Sequence, residues 1–252
     1  MSTYESTVEL QGKVALVTGG SRGIGAAIAR QLARAGADVA LTYVRSAEKA
    51  EAVVKEIEAL GRRGLAIQAD NTDAQAVEAS VATIIKQLGR LDILVNSAGI
   101  WHAGPLDTVT LEQLDETMAV NFRAPFIASK AAAAVMPEGG RIISIGSNLA
   151  ERVPDAGIGL YSASKAALVG LTKGLARDLG PRGITVNVVH PGSTSTDMNP
   201  ADSDHADAQR GRMAIPKYGS PDDIAGLVAW LAGPQGRFMT GAALTIDGGA
   251  NA

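Results

Sequence analysis

Seven short apolar runs, each separated from the next by a longer stretch, most of them amphipathic, constrain this 252-residue chain more than any other feature. The runs expected as strands are Val14–Thr18, Val39–Tyr43, Gly64–Ala69, Ile93–Asn96, Arg141–Ile145, Thr185–His190 and Ala243–Ile246. They are short, and most are rich in Val, Ile or Leu, which is the pattern of strands buried on both faces. The stretches between them predict helices over Ile24–Ala35, Ser46–Leu60, Asp73–Leu88, Leu111–Met136, Tyr161–Leu179 and Pro221–Ala232. Ile24, Ile28 and Leu32 share one helical face. Ser46 stands where an N-cap belongs, Gly61 follows the second helix, and Pro221 with Asp222 opens the last. Repeated strand–helix alternation implies an α/β fold with a seven-stranded parallel, doubly wound sheet and helices on both faces. No low-complexity linker, fixed-period repeat or break in composition divides the chain, so residues 1–252 are expected as one domain. The least regular stretch, 191–220, is rich in Ser, Thr, Asp and Pro. It leaves the carboxyl end of the sixth strand, where such sheets bind ligands, and residues 193–220 are expected as a substrate loop.

The first strand runs straight into Gly19-Gly20-Ser21-Arg22-Gly23-Ile24-Gly25 and then into a helix. Glycines at 19, 23 and 25 permit a tight turn and let backbone N–H groups approach a diphosphate. The positive end of the following helix adds to the attraction. The strand–turn–helix context makes this a nucleotide-binding Rossmann turn with Ser21 and Ile24 part of the cradle. A carboxylate at the end of the second strand would select NAD through the ribose hydroxyls. Here that end reads Tyr43-Val44-Arg45-Ser46, without an acid. Arg22 and Arg45 suit a 2′-phosphate, so the expected cofactor is NADP(H).

Composition removes other classes. A formal net charge of −3 implies no strongly basic surface for nucleic acid. With no Cys there is no disulfide framework, thiolate metal site or Cys nucleophile. His102, His190 and His205 lie too far apart for metal-ligand spacing, so no metal is expected. No apolar run approaches the ~18 residues of a membrane helix. Met1–Leu10 carries two Glu and no apolar block, unlike a secretory signal, so a cytoplasmic location is expected.

The strongest chemical signal is Tyr161-Ser-Ala-Ser-Lys165, where Tyr and Lys, four positions apart, share a helical face. Carbonyl reduction needs a hydride at carbon and a proton at oxygen. A phenol can give that proton, and a nearby ammonium favours the phenolate, lowering a pKa that is ordinarily ~10. Lys165 is expected to exert that effect beside the positive charge of an oxidised nicotinamide.

These motifs, together with Asn96-Ser97-Ala98-Gly99, Pro191-Gly192-Ser-Thr194-Ser-Thr196-Asp-Met and Thr245-Ile246-Asp247-Gly248-Gly249, resemble the short-chain dehydrogenase/reductase family over essentially the whole chain. The family's usual Asn-Asn-Ala-Gly reads Asn-Ser-Ala-Gly here. The resemblance implies that Asp70 contacts the adenine with Asn71 in support. It implies that Asn96, Ala98 and Gly99 line the adenosine ribose and brace the sheet. Pro191, Gly192, Thr194 and Thr196 would turn over the nicotinamide. Asn121 would distort its helix and hold a water that links Lys165 to solvent. Ser147 would bond the substrate carbonyl. Because Ser147 and Tyr161 are 14 positions apart, about one more than usual, Asn148 stays open as the residue facing the substrate. Trp101 and His102 are expected near the substrate mouth, and His190 as a structural residue at a strand end. The resemblance implies a reductase of ketones that also oxidises secondary alcohols, in a homotetramer or homodimer built from Leu111–Met136, Tyr161–Leu179 and the C-terminal segment. Two alternatives stand beside it. One is a 3-oxoacyl-carrier-protein reductase. The other is a cyclic-dinucleotide-binding sensor, because Gly146-Ser147 with Arg152 and Gly174–Val189 resemble a branch of the family that contains such a binder.

Overall fold

The alternation of side chains along an extended strand decides how this sheet is covered. Val14 and Leu16 face one side, and Ala15 and Val17 the other, and all four are inaccessible to solvent. The computed structural model describes residues 10–252, so the reading of Met1–Leu10 falls almost wholly outside the described residues. Strands β1 (Val14–Val17), β2 (Asp38–Tyr43), β3 (Gly64–Gln68), β4 (Ile93–Asn96), β5 (Arg141–Ile145), β6 (Thr185–Pro191) and β7 (Ala243–Ile246) form one sheet. All pairs are parallel, in the order β3-β2-β1-β4-β5-β6-β7. The seven-stranded doubly wound α/β sheet is as the alternation implies.

Helices α1 (Gly23–Arg34), α2 (Ala47–Ala59), α3 (Ala74–Leu88), α4 (Leu111–Met118), α5 (Ala124–Val135), α6 (Gly159–Leu179), α7 (Ala206–Arg210) and α8 (Pro221–Ala232) complete the layers. One core packs α1, α2 and α8 on Ala15, Val17, Val39, Leu41, Val95 and Ile143. The opposite core packs α3, α5 and α6 on Val14, Leu16, Leu94, Ile142 and Val186. The chain winds outward from β1 in one direction and from β4 in the other. That reversal between neighbouring strands opens a crevice at their carboxyl ends.

Three expectations need correction. The single helix over Leu111–Met136 is two helices joined by a π-helical turn, Ala119–Arg123. There the N–H of Ala124 reaches back five residues, to the carbonyl of Ala119. Pro125 has no N–H to give to the carbonyl of Asn121, so regular α-helix cannot run through. Burial on both faces holds for β1, β4, β5 and β6, but β3 and β7 are only half-covered, because each is an edge strand with one neighbour. Ser46 precedes α2 without capping it, whereas Asp73 accepts from the N–H groups of Gln75 and Ala76 and caps α3.

Candidate active site

The turn after β1 is shaped by contacts that leave no room for side chains. Gly19 has φ +65°, and a Cβ there would lie 2.9 Å from the Cα of Ala98. A Cβ on Gly25 would lie 2.4 Å from the carbonyl oxygen of Gly19. Thr18 accepts from the N–H groups of Ser97 (3.0 Å) and Ala98 (3.2 Å), which ties the turns after β1 and β4 together. Arg22 occupies the N-cap position of α1 in extended conformation, and its side chain makes no capping bond. The first turn of α1 therefore presents N–H groups that no side chain satisfies.

A cleft of about 640 Å³ runs across these turns at the carboxyl ends of the strands. It brings together Gly19, Ser21, Arg22, Gly23, Ile24 and Gly25 from the first turn, and Arg45 from the end of β2. Asp70 and Asn71 follow β3, Ala98 and Gly99 follow β4, and Tyr161, Lys165 and Thr196 close the other end. Six expected residues stand outside its wall: Asn121 and Ser147, both buried behind its inner end, and Asn96, Pro191, Gly192 and Thr194. Asn96 turns its amide into the protein, donating to Ser129 (3.2 Å) and Ser144 (3.4 Å), so it braces the sheet. Pro191 and Thr194 are buried at the end of β6 and just past it, and Gly192 packs against Asp247. Asp70 turns its carboxylate onto Thr72, accepting from the latter's N–H and hydroxyl, both at 2.8 Å.

The residue missed in the sequence is Asp197. Its carboxylate lines the cleft and bridges two cations, Lys49 at 3.2 Å and Arg22 at 3.7 Å. Its pKa is lowered by the hydrogen bond and charge of Lys49, with Arg22 adding to both. Tyr43, Thr72, Glu116 and Met198 also line the cleft. Lys49, on a solvated helical face, and Asp197, next to a residue already singled out, gave no periodic signal; only their meeting in space marks them.

At the inner end, Lys165 is buried and donates to the carbonyl of Ile145 at 3.0 Å. Gly99 makes room for it: a Cβ there would sit 3.2 Å from Lys165 Nζ and 3.4 Å from Asn121 Oδ1. Asn121, fully buried in the π turn, accepts from Ile100 N–H (2.9 Å) and donates to Ile100 O and to Ser164 (both 3.0 Å). The helix distortion expected at Asn121 is present. Tyr161 lies on the same face of α6, its ring centroid 5.7 Å from Lys165 Nζ, and Trp101 packs on it at 4.5 Å between centroids. The His102 ring lies beside Thr117 and Glu116.

Burial pushes the Tyr161 phenol up to about 12, with the Ser147 hydroxyl opposing the shift, and pushes Lys165 down to about 8. The polypeptide alone thus does not lower Tyr161 as the Tyr–Lys spacing suggests. Desolvation disfavours the charged form of both groups and outweighs their attraction at this separation. Of the two candidates after β5, Ser147 is the one beside the phenol. Asn148 points its amide to Asp247 at 3.4 Å.

The arrangement offers an anion cradle, a cationic rim, and a phenol with an ammonium behind it. A family model described as enoyl-(acyl carrier protein) reductase matches residues 19–251. A solved short-chain dehydrogenase from Burkholderia cenocepacia in complex with NADP superposes with a TM-score of 0.96 at 67% identity, covering 97% of this chain and 100% of that one. A cyclic-di-GMP-binding biofilm dispersal mediator protein of Escherichia coli is 47% identical over 94% of this chain and 96% of its own length. A 3-oxoacyl-[acyl-carrier-protein] reductase of Staphylococcus aureus is 42% identical over 94% and 97% respectively.

Proposed function

The chain belongs to the short-chain dehydrogenase/reductase family, and from that premise we propose that it is an NADPH-dependent carbonyl reductase that also oxidises secondary alcohols. The observation that carries this reading is that Tyr161 and Lys165, with the Ser147 hydroxyl beside the phenol, stand at the inner end of a cleft whose outer rim holds Arg22 and Arg45.

The cleft fits NADP(H). Gly19 and Gly25 stand where a Cβ would collide with backbone, and the N-terminus of α1 lacks a side-chain cap, which suits a diphosphate. Gly19, Ser21, Gly23, Ile24 and Gly25 hold that group. Arg22 and Arg45 face the 2′-phosphate. Asp70 and Asn71 take the adenine, Ala98 and Gly99 the ribose beside it, with Asn96 bracing that turn. Thr196, on the cleft wall, would meet the nicotinamide, with Pro191, Gly192 and Thr194 shaping the turn behind it. When bound, the cofactor supplies the hydride.

The chain's own residues manage the proton. Tyr161, with its phenol near 12, stays protonated at neutral pH and donates to the carbonyl oxygen as negative charge grows there. Ser147 donates a hydrogen bond to the same oxygen. Lys165 binds the ribose hydroxyls and holds positive charge behind the phenol, stabilising the phenolate left after transfer. Asn121 pins the Ile100 backbone so that Gly99 stays clear of Lys165, and its π turn seats a water that returns a proton to Lys165. One domain carries both halves of the site, with 193–220 as the substrate loop, and the substrate is a ketone. The open apolar side chains of α4 and α5, Leu111 and Phe126 among them, support assembly into a homodimer or homotetramer. The reading includes a cytoplasmic setting. Among the described residues no helix is long and apolar enough to cross a membrane.

The E. coli relative's name supports a second reading, a cyclic dinucleotide bound in the same cationic cleft. The Staphylococcus relative's name supports a 3-oxoacyl thioester as the ketone. The decisive experiment follows nicotinamide absorbance with NADPH or NADH against ketones and 3-oxoacyl thioesters, with Tyr161→Phe as control. Oxidation of NADPH that Tyr161→Phe abolishes establishes the reductase. No turnover, with tight binding of a cyclic dinucleotide, establishes the sensor.

A further inference from the structure

His190 is completely buried near the end of β6, and the function proposed above gives it nothing to do. Its Nδ1 accepts a hydrogen bond from the backbone N–H of Ser147 at 3.0 Å. An imidazole nitrogen that accepts carries no proton, so the ring is neutral with its hydrogen on Nε2. Nε2 is itself buried and without a partner among the described residues.

The contact has a specific place in the sheet. Register between β5 and β6 ends at Ile145 opposite Val189. Gly146 N–H then donates to the carbonyl of Val189 at 2.7 Å, and the next N–H, that of Ser147, goes to the His190 ring. A side chain thus adds one rung where the backbone ladder has run out. The fit requires glycine at 146, since a Cβ there would lie 2.3 Å from His190 Nδ1 and 2.6 Å from Cε1. Ser147 is held extended, at φ −162° and ψ 148°, and its hydroxyl accepts from Leu149 N–H at 3.2 Å. That bond uses one of the oxygen's two lone pairs, and the hydroxyl hydrogen is free to donate.

We propose that His190 is a positioning residue for the proposed carbonyl reduction. Its neutral ring fixes the backbone of Ser147, and through it the direction in which the hydroxyl donates. The proposal rests on the reading that Ser147 bonds the substrate oxygen. Burial and the charge of Lys165 hold the ring below its ordinary titration range, and Glu151 is the opposing charge facing it. Protonation would replace the acceptor with a second donor aimed at the Ser147 N–H.

The test compares His190→Leu, which fills the space and removes the acceptor, with His190→Asn, whose amide oxygen can take the place of Nδ1. Ser147→Ala is measured alongside. His190→Leu is expected to lower kcat for ketone reduction by about tenfold or more, below the loss from removing an oxyanion donor outright. NADPH affinity, read by nicotinamide fluorescence, stays within about twofold, and His190→Asn recovers most of the kcat. An active Ser147→Ala removes the underlying reading of Ser147, whatever the His190 variants do. An inactive Ser147→Ala with an unimpaired His190→Leu, or a His190→Asn as slow as the leucine variant, overturns the positioning role. Nitrogen-15 NMR of the unmodified protein decides independently of folding and of turnover. A neutral ring protonated on Nε2 at about pH 6 is expected, and a proton on Nδ1 overturns the proposal.

Discussion

Lys165 Nζ donates to the carbonyl of Ile145 across 3.0 Å, so the middle of the first half of α6 is anchored to the last residue of β5. Two residues beyond Ile145 stands Ser147, and one helical turn before Lys165 stands Tyr161. A single bond between a buried ammonium and a strand end thus sets the spacing among all three groups.

Removing the Tyr161 hydroxyl leaves the ring, its contact with Trp101 and its place over Lys165 intact. Tyr161→Phe is expected to lower kcat by about 10²–10⁴-fold, the usual worth of a positioned acid, with NADPH affinity unchanged. Stopped-flow absorbance and a fluorescence titration check the two halves. A kcat within about threefold of the parent would assign the proton to another group.

The pH profile follows from the two displaced titrations. Reduction needs a protonated Tyr161 and a charged Lys165. With Tyr161 near 12 and Lys165 near 8, the rate is flat at neutral pH and declines as pH rises through about 8. Oxidation needs the phenolate and climbs through the alkaline range. Initial rates from pH 6 to 10 test this, and a reduction rate with no bend near 8 would remove Lys165 as the limiting group.

Lys165 also makes a stability prediction. Its folded value lies below the ordinary 10.5, so between about 8 and 10.5 the unfolded chain binds more protons and stability rises with pH. At pH 7 the buried ammonium is a cost. Lys165→Met keeps the volume and removes the charge, and is expected to raise stability by about 1 kcal/mol while eliminating turnover. Thermal melts at pH 7 and 9.5 check the sign, since the gain should shrink at the higher value.

The rim predicts cofactor preference. Arg22→Ala is expected to raise KM for NADPH about tenfold and leave that for NADH nearly unchanged, the worth of a charge-assisted bond. Asp197→Asn frees Arg22 and Lys49 from their shared carboxylate. These pairs are exposed, so the gain in NADPH affinity is expected below about fivefold and to fade with added salt. Steady-state kinetics with both cofactors at two ionic strengths measure it, and an equal effect on NADH would place Arg22 away from the 2′-phosphate.

Most of the architecture is legible without coordinates. Apolar runs between the helices locate all seven strands: the five interior strands, buried on both faces, have little choice but Val, Ile, Leu and Ala, and the half-covered edges β3 and β7 keep enough of that pattern to show. The Gly19–Gly25 turn is legible because its glycines answer local collisions that any chain would meet. The break in Leu111–Met136 is less so: Pro125 hints at it, but the π turn depends on Asn121 reaching Ile100 in another element. Between Ser147 and Asn148 spacing alone leaves a choice, and the bond of Asn148 to Asp247, 99 residues on, shows where that amide goes.

The sequence by itself determined the α/β class, the strand positions, the glycine cradle and the Tyr161–Lys165 face, since each follows from the steric and periodic rules of a short segment. The tertiary structure alone decided that Asp197 holds Lys49 and Arg22, that His190 completes the ladder at Ser147, and that Tyr161 titrates upward. Those are matters of distance and desolvation, which arise only when segments far apart in the chain exclude water from one another.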